Sequence, residues 1–362
     1  SFFEQNKIQP NIKEVHLGGG TPSHLSVNEL KELISSLKNL VDFKTLQEFS
    51  MEIDPRTVDL EHFNYYQAFG VDRISFGIQD FNLKVQEKIN RVQPYELIES
   101  LMEKEIRKKF SGVNFDLLFG LPLQTRQTLR ETINLTKLLA PERITLIKYL
   151  HIPKKVKHMK MLDEESLPSK DDLPFMFVES TESLIDGGYT WVGLDHFAKK
   201  TDSLAIAKEK GQVYRNFGGE SPGYTKDIIG LGPSSTSAFG NYYFQATTSL
   251  NVYKKSISEG NFAIAKNFKL NQEDKIRREC NFALQCNQEL DISAIEKKYK
   301  LNFNSFFAFE MEKLKVFQDK KLLEFKQNKI LVTTTGRYFV RHICQVFDTF
   351  INNNLTYEAH GT

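Results

Sequence analysis

Glu14-Val15-His16-Leu17-Gly18-Gly19-Gly20-Thr21-Pro22-Ser23 is the stretch from which the rest of this chain is read. A short apolar strand runs into three glycines and a threonine, and a proline turn follows before a helix. Glycine has no Cβ, so it adopts positive φ and lets backbone N–H and C=O groups touch a bound molecule; Thr21 adds a hydroxyl at the same edge. Three glycines by themselves also suit an ordinary strand-to-helix turn. The flanking sequence separates the two readings.

Outward from the glycines, Ser26-Val27-Asn28-Glu29 is a capping box, and Leu30, Leu33, Ile34 and Leu37 recur behind it at helical spacing, which predicts a helix to about Leu40. Glu48 to Asp54 reads as a strand, Asp59 to Phe69 as a helix closed by Gly70, and Arg73 to Gln79 as the next strand. The alternation continues with a helix marked by Leu97, Ile98, Leu101 and Ile106, a strand from Val113 to Phe119, a helix through Leu129, Ile133 and Thr136, and a strand from Arg143 to Tyr149. Lys170 to Ile185 is expected to be helical and Tyr189 to Gly193 extended. Repeated β-α units imply a parallel sheet, and function in such a sheet gathers at the C-terminal ends of the strands. Those ends are polar here: Gly18-Gly-Gly-Thr21, Glu52-Ile-Asp54, Gln79-Asp80, Asp116, Lys148-Tyr-Leu-His151 and Asp195-His196.

Composition bounds the function class. In 362 residues, 48 basic and 46 acidic side chains leave a formal charge of +2, so no global field argues for nucleic acid or an anionic membrane. No run approaches the roughly 18 apolar residues of a membrane span, and Ser1-Phe2-Phe3-Glu4 is no signal peptide, so the expected location is cytoplasmic. From about Gln272 the texture changes to charged helices, a short strand Lys329 to Thr333 and a final helix Gly336 to Phe350 with an apolar stripe of Phe339, Val340, Ile343, Phe347 and Phe350. The expected division is therefore residues 1–271, a barrel with its extension, and 272–362, a mainly helical, winged-helix-like cap docked on it. Cys280, Cys286 and Cys344 are widely spaced in that second part, as suits buried thiols in a reducing compartment.

Taken together, Gly18-Gly-Gly-Thr-Pro22, Glu52-Ile-Asp-Pro-Arg56, Arg73-Ile-Ser-Phe-Gly-Ile-Gln-Asp-Phe81, Asn114-Phe-Asp-Leu-Leu-Phe-Gly-Leu-Pro122 and Gly193-Leu-Asp-His-Phe-Ala198 resemble the oxygen-independent coproporphyrinogen III oxidases, radical S-adenosylmethionine enzymes of haem synthesis. The glycine motif is shared by many radical enzymes; five motifs in this order are specific. The resemblance implies a partial (β/α) barrel of parallel strands, a 4Fe-4S cluster and two S-adenosylmethionine molecules. It puts the first of these near Gly19, Glu52 and Thr236, and the second near Gly20, Thr21, Gln79, Arg91, Asp116 and Leu150. Carboxylates such as Glu52 and Asp116 can accept from an ammonium or from ribose hydroxyls, and Arg91 can pair with a carboxylate. The implied substrate is coproporphyrinogen III, two of whose propionates become vinyl groups in protoporphyrinogen IX. Its carboxylates need cations, for which Lys148, His196 and Arg215 are candidates. An electron donor is implied as well; a monomer is expected, without nucleic-acid or membrane partners.

The family ligates its cluster with cysteines spaced Cys-x3-Cys-x2-Cys upstream of the glycine motif, and none precedes Gly18 here. The expectation is that these ligands lie upstream of Ser1, the alternative being a lineage that has lost the cluster; in both cases the chain is expected to hold no metal of its own and not to catalyse by itself. Two other readings compete. One is a non-enzymatic haem-binding or haem-chaperone protein with His151 or His196 as axial ligand; the other, a winged-helix DNA regulator, lacks a basic helix face.

Overall fold

In the computed structural model, which describes residues 10–224 and 226–352, the chain forms two compact units. The first runs to Trp191 and takes in Asp195–Asp202; the second takes Val192–Leu194 and continues from Ser203. They part upstream of the expected boundary at 271/272, which falls instead at Asn271, the N-cap of a helix.

The first unit is built on a seven-stranded sheet: β1 (Glu14–Leu17), β2 (Glu48–Ile53), β3 (Arg73–Gln79), β4 (Gly112–Phe119), β5 (Arg143–Lys148), β6 (Tyr189–Val192) and β7 (His196–Lys199). From β1 to β5 each strand pairs in parallel with the one before it in sequence, the stepwise order of a (β/α) barrel left open. Local chemistry sets the helices between them. Ser26 and Glu29 form the capping box of Val27–Lys38, Asp59 caps Leu60–Phe69, and Gly70 ends that helix at φ 97°. Thr125 caps Arg126–Leu139. One sheet face is apolar: Phe49, Met51, Ile53, Ile74, Phe76, Ile78, Phe115 and Leu117 are buried. Phe63 meets Phe76 and Phe110 edge to face. At about 1.5–3 kcal/mol for each large side chain removed from water, this face holds the unit together.

Three expectations change. The helical period from Leu97 to Ile106 breaks into Tyr95–Leu101 and Lys104–Arg107 because Glu103 takes an extended backbone, and a further helix, Leu83–Lys88, is capped by Asn82. Asp195-His196-Phe197 does not end a parallel strand. The chain turns after β6, with Gly193 at φ 60°, and returns as β7, which pairs antiparallel with β5 and lies between β5 and β6. The final helix is the third: Gly336–Phe339 is a 3-10 turn, Val340–Gln345 is α-helical, and Thr349–Asn352 is a separate short helix. Phe339 and Phe350 are exposed, whereas Val340, Ile343 and Phe347 enter the core of their own unit.

That core lies in the second unit, where Ile276, Cys280, Leu284, Phe303, Phe307, Leu314 and Ile330 surround the same residues. Its helix Gln272–Phe282 runs into a π-helical turn, Ala283–Asn287, and a three-stranded wing follows in the order Glu289–Asp291, Lys329–Val332, Leu323–Lys326. A second three-stranded sheet, Thr236–Phe239, Tyr242–Ala246 and Ile264–Lys269, is antiparallel throughout. Among the described residues, no helix is long and apolar enough to cross a membrane.

Candidate active site

Parallel strands covered on both faces are usually apolar throughout, so the alternation in β1–β5 identifies a polar face opposite the helices. The sheet register lines it up: His16 stands opposite Ser50, Glu52 opposite Ser75, Ser75 opposite Asn114, and Asp116 opposite both Gly77 and Thr145. At the start of the strands this face is closed by charge. Arg73 donates to Glu48 (3.0 Å) and Asp202 (2.8 Å), and Arg143 pairs with the same two carboxylates at 3.0 and 2.8 Å, all four side chains being largely buried.

Further along the strands the polar groups become accessible. Glu52 bridges two elements: its Oε2 accepts from the Gly19 amide at 3.3 Å, and its Oε1 lies 3.2 Å from His16 Nε2. The other ring nitrogen of His16 is 2.9 Å from Ser50 Oγ. Partial desolvation works against charge on His16, whose side chain stays 49% exposed, but the hydrogen bond and charge of Glu52 outweigh it, so the imidazole titrates above its ordinary value. Gly18 is the close approach in this group, since a Cβ there would stand 2.5 Å from His16 Nε2 and 2.6 Å from Glu52 Oε1. Gly19, at φ 86°, and Gly20 have open space where a Cβ would be. Ser23 anchors the turn by accepting from the Asp54 amide at 3.1 Å.

A second group forms around the end of β3. Gln79 is left-handed at φ 67°, and the register with β4 shifts between Gly77 and Gln79. Arg91 lies over this bulge, donating to the Gly77 carbonyl at 3.0 Å and to Gln93 at 3.1 Å, with Asp54 at 3.6 Å. Asp116 accepts from Ser75 and Asn114, both at 2.8 Å. Burial pushes the Asp116 carboxyl up; hydrogen bonds from Ser75, Thr145 and Asn114 pull the other way, and the charge of Glu52 adds to the push. Burial would also raise Asp54, but hydrogen bonds from Arg56 and the charge of Arg91 hold it below the usual carboxylate range.

The fold thus brings Gly19 together with Glu52, and Gln79 and Arg91 together beside the Gly77–Asp116 pair. Thr21 precedes the turn Pro22–His24, and Leu150 follows the end of β5. Thr236 opens a strand of the second unit, with no room for a side chain on Gly230 against its carbonyl. Of the proposed cations, Lys148 stands opposite Phe119 and so points away from the face that carries Thr145. His196 stands opposite Thr145 with its Nδ1 3.0 Å from Asp195, and Arg215 pairs with Glu220 at 2.6 Å in the second unit. His151 Nδ1 is 3.2 Å from the Tyr149 hydroxyl, with Glu164 at 3.7 Å from Nε2. Sequence reading passed over His16, Ser50, Ser75, Asn114 and Thr145. The signal for them was the period-two polarity of Glu48-x-Ser50-x-Glu52 and Asn114-x-Asp116 in strands of a parallel sheet.

Residues 3–136 match the Radical SAM superfamily. The chain is 33% identical over 341 residues to the oxygen-independent coproporphyrinogen III oxidase of Salmonella typhimurium, covering 94% of this chain and 75% of that protein. The chain belongs to the oxygen-independent coproporphyrinogen III oxidase family. The family's enzyme from Pseudomonas aeruginosa is 34% identical (94% and 74% covered), and the one from Helicobacter pylori strain 26695 is 35% identical (94% and 75%). The solved structure of coproporphyrinogen III oxidase from Escherichia coli, a radical SAM enzyme, superposes with a TM-score of 0.89 at 33% identity, over 94% of this chain and 78% of that one. Radical SAM chemistry brings two cofactors, S-adenosylmethionine and a 4Fe-4S cluster. The residues of the first unit fit S-adenosylmethionine: an open glycine cradle stands beside one carboxylate, and a second carboxylate and an arginine lie further round the sheet. The described cysteines do not fit the cluster, which takes thiolates. Burial pushes the Cys280 and Cys286 thiols up to about 12 and raises Cys344 as well.

Proposed function

We propose that the protein oxidatively decarboxylates two propionate side chains of coproporphyrinogen III to vinyl groups, giving protoporphyrinogen IX. The observation that carries this reading is the polar sheet face on which Glu52 and Asp116 stand as two separate anionic positions, the first against the open backbone of Gly19 and Gly20. When bound, S-adenosylmethionine supplies a 5'-deoxyadenosyl radical able to take hydrogen from the propionate β-carbon. Glu52 and the glycine backbone would hold the amino-acid end and ribose of one molecule, together with Thr236. Gly20, Thr21, Gln79, Arg91, Asp116 and Leu150 would receive the second. Asp116 already accepts hydrogen bonds from Ser75 and Asn114, and a carboxylate so placed can accept from ribose hydroxyls as well. His196 and Arg215 are the proposed partners of substrate carboxylates; Lys148, on the other face of β5, is the weakest of the three candidates.

An external electron donor, a monomeric state and a cytoplasmic setting belong to the same proposal, as does the role of residues 272–362 as a cap over the substrate. Calorimetry on the cluster-loaded full-length protein tests it. Glu52→Ala and Asp116→Ala are expected each to remove mainly one of two S-adenosylmethionine binding events and to abolish protoporphyrinogen formation. Loss of circular-dichroism signal in both would instead make these structural acids. Removing the chain after Asn271 should end porphyrinogen turnover while leaving some cleavage of S-adenosylmethionine.

A further inference from the structure

We propose that His16 is a positioning residue for S-adenosylmethionine: held by Ser50 on one ring nitrogen, it fixes the Glu52 carboxylate against the Gly19 amide and so shapes the cradle that takes the amino-acid end of the cofactor. This rests on the reading of Glu52 given above. The geometry is specific. Glu52 has two oxygens, and each has one partner on the glycine segment, the Gly19 amide for Oε2 and His16 Nε2 for Oε1. Without His16, Oε1 loses its partner and the carboxylate is free to rotate about its last side-chain bond. Gly18 carries no side chain because the His16–Glu52 contact occupies the space that a Cβ would need. The imidazole is therefore built into the motif on both sides, by a serine two residues before Glu52 and by the first glycine of the triplet.

The arrangement has a chemical consequence. Three carboxylates favour charge on His16, Glu52 and Glu48 on the adjacent β2 and Asp116 two strands further on β4, while Glu14 shares its own strand and face and the intervening β3 contributes Arg73 and Ser75. S-adenosylmethionine carries an ammonium and a sulfonium, so its arrival beside Glu52 puts positive charge into the same field. Protonated His16 and the cofactor compete for one carboxylate, and binding must lower the proton affinity of His16. In its neutral form His16 still donates from Nε2 to Glu52 while Nδ1 accepts from the Ser50 hydroxyl. The residue orients Glu52 in either state and holds its proton less tightly once the cofactor is bound.

The test titrates the cluster-loaded full-length protein with S-adenosylmethionine at neutral pH, in two buffers of different ionisation enthalpy, so that the heat reports protons released as well as affinity. Wild type is expected to release part of a proton in one of its two binding events. His16→Leu should weaken that event about tenfold or more, the factor carried by a hydrogen bond to a charged group, and release no proton. His16→Gln, which keeps an N–H for Glu52, should restore most of the affinity but not the proton release. Unchanged affinity in His16→Leu, or proton release that persists in His16→Gln, would overturn the proposal. If Glu52→Ala weakens binding while His16→Leu does not, the fault lies with His16 alone; if neither does, the cradle itself has been misplaced.

Discussion

Replacing Asp202 by alanine tests whether the charged closure at the start of the strands supports the sheet. Arg73 and Arg143 are each about 8% exposed in their side chains and share two carboxylates, Glu48 and Asp202, the latter only 2% exposed. In Asp202→Ala both buried guanidinium groups lose one of the two carboxylates they share, each with a 2.8 Å hydrogen bond. Removing one partner of a buried ion pair costs about 3–5 kcal/mol, since the charge left behind stays desolvated. Asp202→Asn keeps an acceptor in place and should lose less. The single tryptophan makes the assay selective. Trp191 is buried in the first unit, against Phe177 and stacked on Phe197, so its fluorescence in a urea titration follows that unit. Asp202→Ala should move the midpoint down by the equivalent of about 3–5 kcal/mol, with an unchanged slope. A loss under about 1 kcal/mol in both variants would mean that water reaches these arginines and that the closure contributes little.

Two further outcomes follow from burial in the second unit. Lys208 donates to the Cys286 carbonyl at 2.9 Å, and burial together with the nearby Arg337 charge lowers its ammonium to about 8. The unfolded chain therefore holds the proton up to about 10.5 while the folded chain releases it near 8, so stability rises with pH inside that window. Relative to Lys208→Met, wild type should gain about 1 kcal/mol between pH 8 and 9 in urea titrations, and an equal pH slope in both proteins would refute the assignment. The thiols should be inert: a disulfide reagent at pH 8 is expected to label Cys280 and Cys286 only after denaturation, and this polypeptide with added iron and sulfide should develop no stoichiometric 4Fe-4S absorbance. Rapid labelling of the native chain, or one cluster per chain, would show that those cysteines are accessible ligands.

Much of the first unit was legible because its signals are local. Ser26 with Glu29, Asp59 with Gly70, and the period-two runs of β2 to β4 act within one or two turns of chain, and the helices and strands stand close to where those residues put them. The final helix misled for the same reason. Phe339, Ile343, Phe347 and Phe350 keep near-helical spacing, but the backbone there is broken into three pieces, and only Ile343 and Phe347 reach the core. Periodicity reports which positions are apolar and leaves open whether one helix carries them.

By itself the sequence determined the strand-helix alternation, the glycine cradle and, through five motifs in order, the family. Tertiary structure alone decided which polar residues meet. His16 finds Glu52 across 36 positions, Ser75 finds Asp116 across 41, and Arg73 finds Asp202 across 129. Each meeting depends on strand register or on a chain reversal such as that from β6 into β7, and register is chosen by the burial of the opposite, apolar face. The polar residues take their partners from a pairing that Phe49, Phe76 and Phe115 select.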